Sequence, residues 1–240
     1  MAPEHVVFGG IGMGLDLAGT LEGVLEEPQS SNETASAGGL VFAHPHSLYG
    51  GTLRQPLVHH VANAAREAGF STLRFNFRGV GRSAGEFDGR AERDDIRAAA
   101  QFMRRRLQPS RPLVLGGFSF GSIMTAAAVI AGEPADALVL VALVIRSEEF
   151  SEEEEEFSEE ELEGLSCFRG PVLAVCAEED TLAPPDVVGP FLQSLDLDLT
   201  LEVLPDADHM FNERQREVGA VVKGFLERRF VATGAGTMGR

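Results

Sequence analysis

Apolar and polar positions follow two rhythms along this chain. Short runs of branched and aromatic residues exchange with longer stretches in which apolar residues recur every three or four positions. Val6 to Gly14 and Leu15 to Glu26 read as two strands joined through glycines, an antiparallel opening hairpin. The polar Ser/Asn/Gly stretch Gln29 to Gly39 reads as a loop, and Gly39 to Ala43 as a buried strand that runs into His44-Pro45-His46-Ser47-Leu48-Tyr49-Gly50-Gly51. Pro56 suits a first helical position, Leu57 to Ala68 continues with helical apolar spacing, and Gly69 ends it. A strand at Ser71 to Phe77 leads into the turn-rich Arg78-Gly79-Val80-Gly81-Arg82-Ser83. The spacing then predicts a helix from Ala91 to Leu107, with Ile96, Ala99, Met103 and Leu107 on its buried face. Further strands are predicted at Pro112 to Leu115, Ala137 to Ile145, Pro171 to Ala177 and Leu199 to Leu204. The accompanying helices fall at Ser122 to Ala131, Pro185 to Leu195 and Glu213 to Phe230. Strands alternating with helices predict an α/β fold: a mostly parallel central sheet, right-handed crossovers and helices on both faces.

One stretch organises the rest. Leu113 to Gly121 is a short apolar run that stops at a serine bracketed by glycines, Gly117-Phe118-Ser119-Phe120-Gly121. With a strand before it and an Ala-rich helix after it, this Gly-x-Ser-x-Gly is predicted to be a strand-to-helix turn that forces Ser119 into a strained conformation, its hydroxyl exposed above the sheet. Gly117 and Gly121 relieve crowding where strand and helix nearly touch. The helix beyond turns its N-terminal N–H groups and positive dipole end toward any oxyanion formed there.

Ligands of open parallel sheets bind beyond the carboxyl ends of the strands. Ser119, Asp180 and His209 all fall at such ends, in the order serine, acid, histidine. In this pattern His209 takes the proton of Ser119, and Asp180 orients the imidazole and stabilises its charged form. Glu178, Glu179, Asp206 and Asp208 compete for the acid role, since all lie at the same two strand ends. Asp180 is preferred because it follows its strand directly, in a loop closed by Pro184 and Pro185. An oxyanion hole needs two backbone N–H groups, expected from Phe120 and from His46 in the His44 to Leu48 loop. The side chains of His44 and His46, with His59 and His60, lack a matched carboxylate spacing, so no metal is expected. Gly10, Gly12 and Gly14 do not fit Gly-x-Gly-x-x-Gly and precede no helix, and no nucleotide cofactor is expected either.

Composition narrows the function classes. The 240 residues are 44% apolar, enough to bury a sizeable core, and one domain over 1–240 is expected. The opening residues lack a signal-peptide pattern and no run reaches about 18 apolar residues, which implies a cytoplasmic protein without a membrane partner. Cys167 and Cys176 lie near the start of and within one predicted strand, beyond disulfide reach, and read as buried thiols in a reducing compartment. A net charge of −17 excludes nucleic acid as a partner. Much of that charge sits in the glutamate run Glu148 to Glu163, whose composition is that of a solvated helix or a disordered loop. Ala232 to Arg240 reads as a frayed tail.

The body from Gly39 to Phe230 resembles the α/β-hydrolase superfamily, and within it the small bacterial serine esterases and the dienelactone-hydrolase group. His44 to Gly51, Phe75-Asn76-Phe77-Arg78-Gly79-Val80-Gly81-Arg82-Ser83, the Ser119 motif, Asp180 and Asp208-His209 carry the resemblance. It implies a triad of Ser119, Asp180 and His209, a structural role for Arg78 to Ser83, and a lid-like insertion at 147–168 that forms a flap over Ser119. Two departures bear on it. Ala177-Glu178-Glu179-Asp180 replaces the Gly-Asp-x-Asp of many relatives, and a serine stands where a dienelactone hydrolase has cysteine, which argues against that activity. The expected function is cofactor-free hydrolysis of a carboxylic ester, a small acyl substrate, through an acyl-enzyme. Alternatives are a peptidase or thioesterase with the same triad, or a non-catalytic binding module on the fold. Leu48, Tyr49, Ile145 and Met210 near the expected mouth point to a neutral acyl group.

Overall fold

The computed structural model describes residues 2–9, 19–29, 36–145 and 159–231. Among them, eight strands form one sheet in the order β1-β2-β4-β3-β5-β6-β7-β8. β1 (Glu4–Gly9) and β2 (Thr20–Glu26) form the expected antiparallel opening, and β2 also pairs antiparallel with β4 (Phe70–Phe75). The rest is parallel: β3 (Gly38–Ala43) between β4 and β5 (Leu113–Phe118), then β6 (Ala137–Val141), β7 (Pro171–Ala177) and β8 (Asp198–Leu204). Every residue of β3, β4, β5 and β6 is buried. Helices covering both faces of a parallel sheet require this, and it is why these strands read as continuous apolar runs rather than alternating ones.

α1 (Pro56–Glu67) packs against α6 (Gln215–Leu226), and α2 (Glu92–Arg104) packs against α3 (Phe120–Ile130). The β3-to-β4 and β4-to-β5 crossovers run in opposite directions along the sheet, so right-handed connections put the two pairs on opposite faces. α5 (Pro185–Ser194) lies against β7 and β8. α6 is shorter than its apolar pattern and runs on as a π turn over Glu227–Val231. Two strands also stop earlier than expected. β4 ends before Asn76, whose side chain turns away to accept from the Leu53 N–H and donate to Glu22. β6 ends before Ala142, which sits at φ 46, outside the extended range.

Arg78 to Ser83 is the structural loop that was expected. The Arg78 guanidinium grips both oxygens of the buried Asp95, whose carboxylate also accepts the Arg78 backbone N–H. Ser83 donates to the Asn76 carbonyl and accepts from the Glu22 N–H.

The cysteines part company. Cys176 is buried in β7, where burial pushes its thiol up to about 12, but Cys167 is exposed. Cys167 closes a 3-10 turn over Glu163–Cys167 that buries Leu165 instead, so the thiol faces outward. Residues 147–158 of the lid-like insertion, the 232–240 tail and the hairpin tip with Gly10, Gly12 and Gly14 lie outside the described residues. From α4 (Glu159–Leu162) onward the insertion packs on α3: Leu162 and Leu165 are buried, and Gly164 lies against Ile130. Among the described residues, no helix is long and apolar enough to cross a membrane.

Candidate active site

From β3 the chain crosses to β4 on one side, and β5 then returns to the other. The order reverses between β3 and β5, and a crevice opens at such a reversal, beyond the carboxyl ends of the strands. Ser119 leaves β5 at this point, and the loop from His44 leaves β3.

Ser119 has φ 53 and ψ −119, a conformation sparsely populated by non-glycine residues that costs of order 1–3 kcal/mol. The neighbourhood holds it there. Its N–H donates to the Val141 carbonyl at 2.8 Å, and its own carbonyl accepts from the Ser122 N–H and hydroxyl at 2.8 and 2.6 Å. The flanking glycines are required by close approach. A Cβ on Gly117 would stand 2.2 Å from the Gly121 carbonyl carbon, and one on Gly121 would stand 2.5 Å from the His44 oxygen. The helix thus meets its own strand and the β3 loop at backbone distance. The hydroxyl is less open than the motif suggested, because Ser119 is only 8% exposed with the His209 imidazole over its Oγ.

Three loops carry the expected groups together. His209 Nε2 lies 2.9 Å from Ser119 Oγ, and His209 Nδ1 lies 2.8 Å from Asp180 Oδ2. An ionised carboxylate only accepts, so Nδ1 carries the proton and Nε2 is left to accept from the serine. Asp180 is buried, which by itself would raise its pKa. Hydrogen bonds from the His209 ring and from the Ala183 and Leu182 N–H groups, with the attraction of His209, outweigh this and hold the carboxyl below the usual range. Both backbone N–H groups reach Oδ1 at 2.8 Å, leaving Oδ2 to the imidazole.

The four competing carboxylates are engaged elsewhere or only frame the loops. Asp208 accepts from the Asn212 backbone and side chain. Glu178 accepts the Asp206 N–H, and the Glu179 N–H donates to the Ala207 carbonyl at 2.9 Å. The Glu178 side chain, with the Glu179 backbone N–H, therefore ties the Asp180 loop to the His209 loop. Phe211, fully buried at φ 49, pins the far side of that loop, and Phe118 lies beneath the His209 ring at 5.7 Å.

His44 has a role that its sequence did not announce. Fully buried, it lies with Nδ1 2.6 Å from the Pro45 carbonyl, and its Nε2 accepts the Phe77 N–H at 3.1 Å. Burial lowers its pKa from 6.5 to about 4, so it stays neutral and braces the loop after β3 against the loop after β4. A histidine directly after a buried strand and before a proline was the available signal. His46 is half-buried; its Nδ1 accepts the Leu48 N–H at 3.3 Å and its ring lies 4.9 Å from that of Phe120. His59 Nε2 is 2.9 Å from Asn63. Among the described residues, no cluster of three or more His, Cys, Asp or Glu is arranged to hold a metal.

Comparison with known proteins agrees with this architecture. Residues 37–232 match the alpha/beta hydrolase domain. The chain belongs to the alpha/beta hydrolase family. Membership of that family supports hydrolase activity. XC6422 of Xanthomonas campestris, an α/β serine hydrolase without lid, is 27% identical over 100% of this chain and 98% of its own, with a TM-score of 0.74. An α/β serine hydrolase homologue from Coxiella burnetii is 27% identical over 94% of this chain and 98% of its own, with a TM-score of 0.78. ATU1826 of Agrobacterium tumefaciens, a putative α/β hydrolase, is 26% identical with a TM-score of 0.77, covering 95% of this chain and 97% of its own. The uncharacterized protein RP471 of Rickettsia prowazekii (strain Madrid E) is 33% identical over 102 residues, 42% of this chain and 43% of that protein. That match spans less than half the relative's length.

Proposed function

We propose that this hydrolase cleaves a carboxylic ester through an acyl-enzyme, with Ser119 as nucleophile, His209 as general base and Asp180 as the residue that orients His209. The observation that carries the reading is the continuous chain from Ser119 Oγ to His209 Nε2 at 2.9 Å and from His209 Nδ1 to Asp180 Oδ2 at 2.8 Å. Nε2 takes the Ser119 proton as Oγ attacks the ester carbonyl, and the resulting imidazolium faces an anionic Asp180. The Phe120 and His46 N–H groups, from the two loops that meet at Gly121, stabilise the oxyanion. Collapse of the tetrahedral intermediate breaks the C–O bond, and His209 hands its proton to the departing alcohol. Water then attacks the acyl-serine with His209 again as base, releasing the carboxylic acid and restoring the hydroxyl.

A fluorophosphonate probe tests the nucleophile, since only an activated serine is phosphonylated. Labelling of the parent and not of Ser119→Ala is expected, together with turnover of short acyl esters in preference to matched thioesters and peptides. Preference for thioesters or peptides would replace the ester assignment, and absence of both labelling and turnover would leave a binding module on the fold.

A further inference from the structure

A group of rings starts at Phe120, the residue after Ser119, and runs outward to the surface. The His46 imidazole lies 4.9 Å from the Tyr49 ring, 4.8 Å from Phe87 and 4.9 Å from Phe120, and Phe87 lies 5.7 Å from Phe120. Centroid separations of 4.5–7 Å are those of interacting aromatic pairs. The inner end of the group is core: Phe120 is 5% exposed and continues to the buried Phe77 at 5.6 Å. Its outer end is not. Tyr49 is 84% exposed and its neighbour Leu48 is 68% exposed. The chain has one tyrosine and no tryptophan, and that tyrosine has most of its surface in water.

The backbone that carries Tyr49 is held in place. Tyr49 ends a 3-10 turn, Ser47–Tyr49, in which the Tyr49 N–H donates to the His46 carbonyl at 3.2 Å and the Gly50 N–H to the Ser47 carbonyl at 3.1 Å. Gly50 closes the turn at φ 84. A rigid aromatic side chain with two rotatable bonds presents a flat face at little entropic cost. The group begins at Phe120, one residue from the nucleophile, and passes through His46, the other proposed oxyanion donor.

We infer that Tyr49, with His46 and Phe87, forms an aryl-binding subsite, so that the preferred substrates carry an aromatic ring next to the scissile ester. The inference rests on the ester-hydrolase reading and names its substrate class. A substrate ring in the acyl or in the alcohol half presents the same chemistry to the subsite. Stacking or edge-on contact with Tyr49 distinguishes such a ring from a saturated ring of the same size.

The test compares kcat/KM for benzyl acetate with cyclohexylmethyl acetate, and for methyl phenylacetate with methyl cyclohexylacetate, in the parent, Tyr49→Phe, Tyr49→Leu and Val7→Ser, an exposed change on the distant edge strand β1. The change in each ratio between variants cancels intrinsic reactivity. In one of the two substrate pairs, Tyr49→Leu is expected to lower the aryl-to-cyclohexyl ratio about 2- to 10-fold while Tyr49→Phe and Val7→Ser preserve it. The responding pair identifies the half of the ester that occupies the subsite. Unchanged ratios in Tyr49→Leu for both pairs, with fluorophosphonate labelling of Ser119 intact, would overturn the subsite alone. Loss of labelling and turnover in the parent would overturn the ester-hydrolase reading and this inference with it.

Discussion

Asp180→Asn isolates the electrostatic part of the site from its architecture. The carboxylate uses Oδ1 to accept two backbone N–H groups and Oδ2 to accept from His209. Asparagine keeps the first function, since its carbonyl oxygen takes the Oδ1 position and continues to close the turn at Leu182 and Ala183. Its NH₂ group then occupies the Oδ2 position and presents a donor to Nδ1, which can engage it only by giving up its proton. The imidazole adopts the opposite tautomer, with the proton on Nε2, and no longer accepts from Ser119. Inverting the tautomer in a Ser-His-Asp arrangement costs about 10⁴ in kcat. The loss of stability is small by comparison. One charge-assisted hydrogen bond of about 1.5–3 kcal/mol is removed, which for a chain of this size lowers Tm by several degrees.

The pH dependence has a definite sign. Asp180 has a depressed folded-state pKa, so its stabilisation is fully present above the unfolded carboxylate value of about 3.9 and is lost as pH falls through the folded value. The contribution of the Asp180 carboxylate to the stability difference between parent and variant should therefore be present at neutral pH and close below about pH 4. Hydrolysis of 4-nitrophenyl acetate, normalised to folded protein, measures the rate, and urea unfolding between pH 3 and 7 measures the rest. A variant within tenfold of the parent would refute the reasoning. So would an equal loss in Asp208→Asn, since Asp208 is exposed and bonded to Asn212.

Ser119→Ala is expected to lower ester hydrolysis by 10⁴-fold or more and to abolish fluorophosphonate labelling, with an unchanged far-UV spectrum. Gly121→Ala places a Cβ 2.5 Å from the His44 carbonyl oxygen; backbone cannot yield as a side chain does, and urea unfolding should show a loss of more than about 2 kcal/mol. His44 has its pKa lowered by burial from 6.5 to about 4, so the unfolded chain binds this proton first and stability falls by about 3 kcal/mol as pH drops across that window; His44→Gln should flatten that part of the stability profile. A maleimide should modify Cys167 in the native protein and reach buried Cys176 only after unfolding.

Much of the architecture was legible because a parallel sheet covered on both faces leaves little freedom in composition. β3, β5 and β6 each appear as a run of branched or apolar residues bounded by turns, and each was found within a few residues of its limits. The errors sit where a distant side chain or a short irregular turn decides the local conformation. Asn76 leaves β4 to bond Glu22, a residue 54 positions earlier, and nothing in the local pattern around Phe75 records it. Cys167 was misjudged because a single 3-10 turn determines which side of the segment meets the core, and such a short turn leaves no periodicity to read.

The same distinction separates the parts of the site. Strand ends placed Ser119, Asp180 and His209 at one edge, because the chain returns to that edge after every crossover helix. The choice among neighbouring carboxylates and the role of His44 depend on contacts across 29 and 33 positions, which only the folded chain contains. Most of the backbone strain lies at the same edge, with Asp196, at φ 52 ahead of β8, the exception among the described residues. Ser119, Asp206, Phe211 and Glu213 have positive φ values between 49 and 63 degrees, and they either carry the serine or flank the histidine. Each such residue costs of order 1–3 kcal/mol, so these conformations persist only where surrounding structure over-determines them. Here it does: the fully buried strands, the close approach at Gly117 and Gly121, and the clamps from Glu178 and Glu179 leave these loops no relaxed alternative. Loosening one clamp should therefore show first as misplacement of His209 relative to Ser119 and only later as loss of the fold.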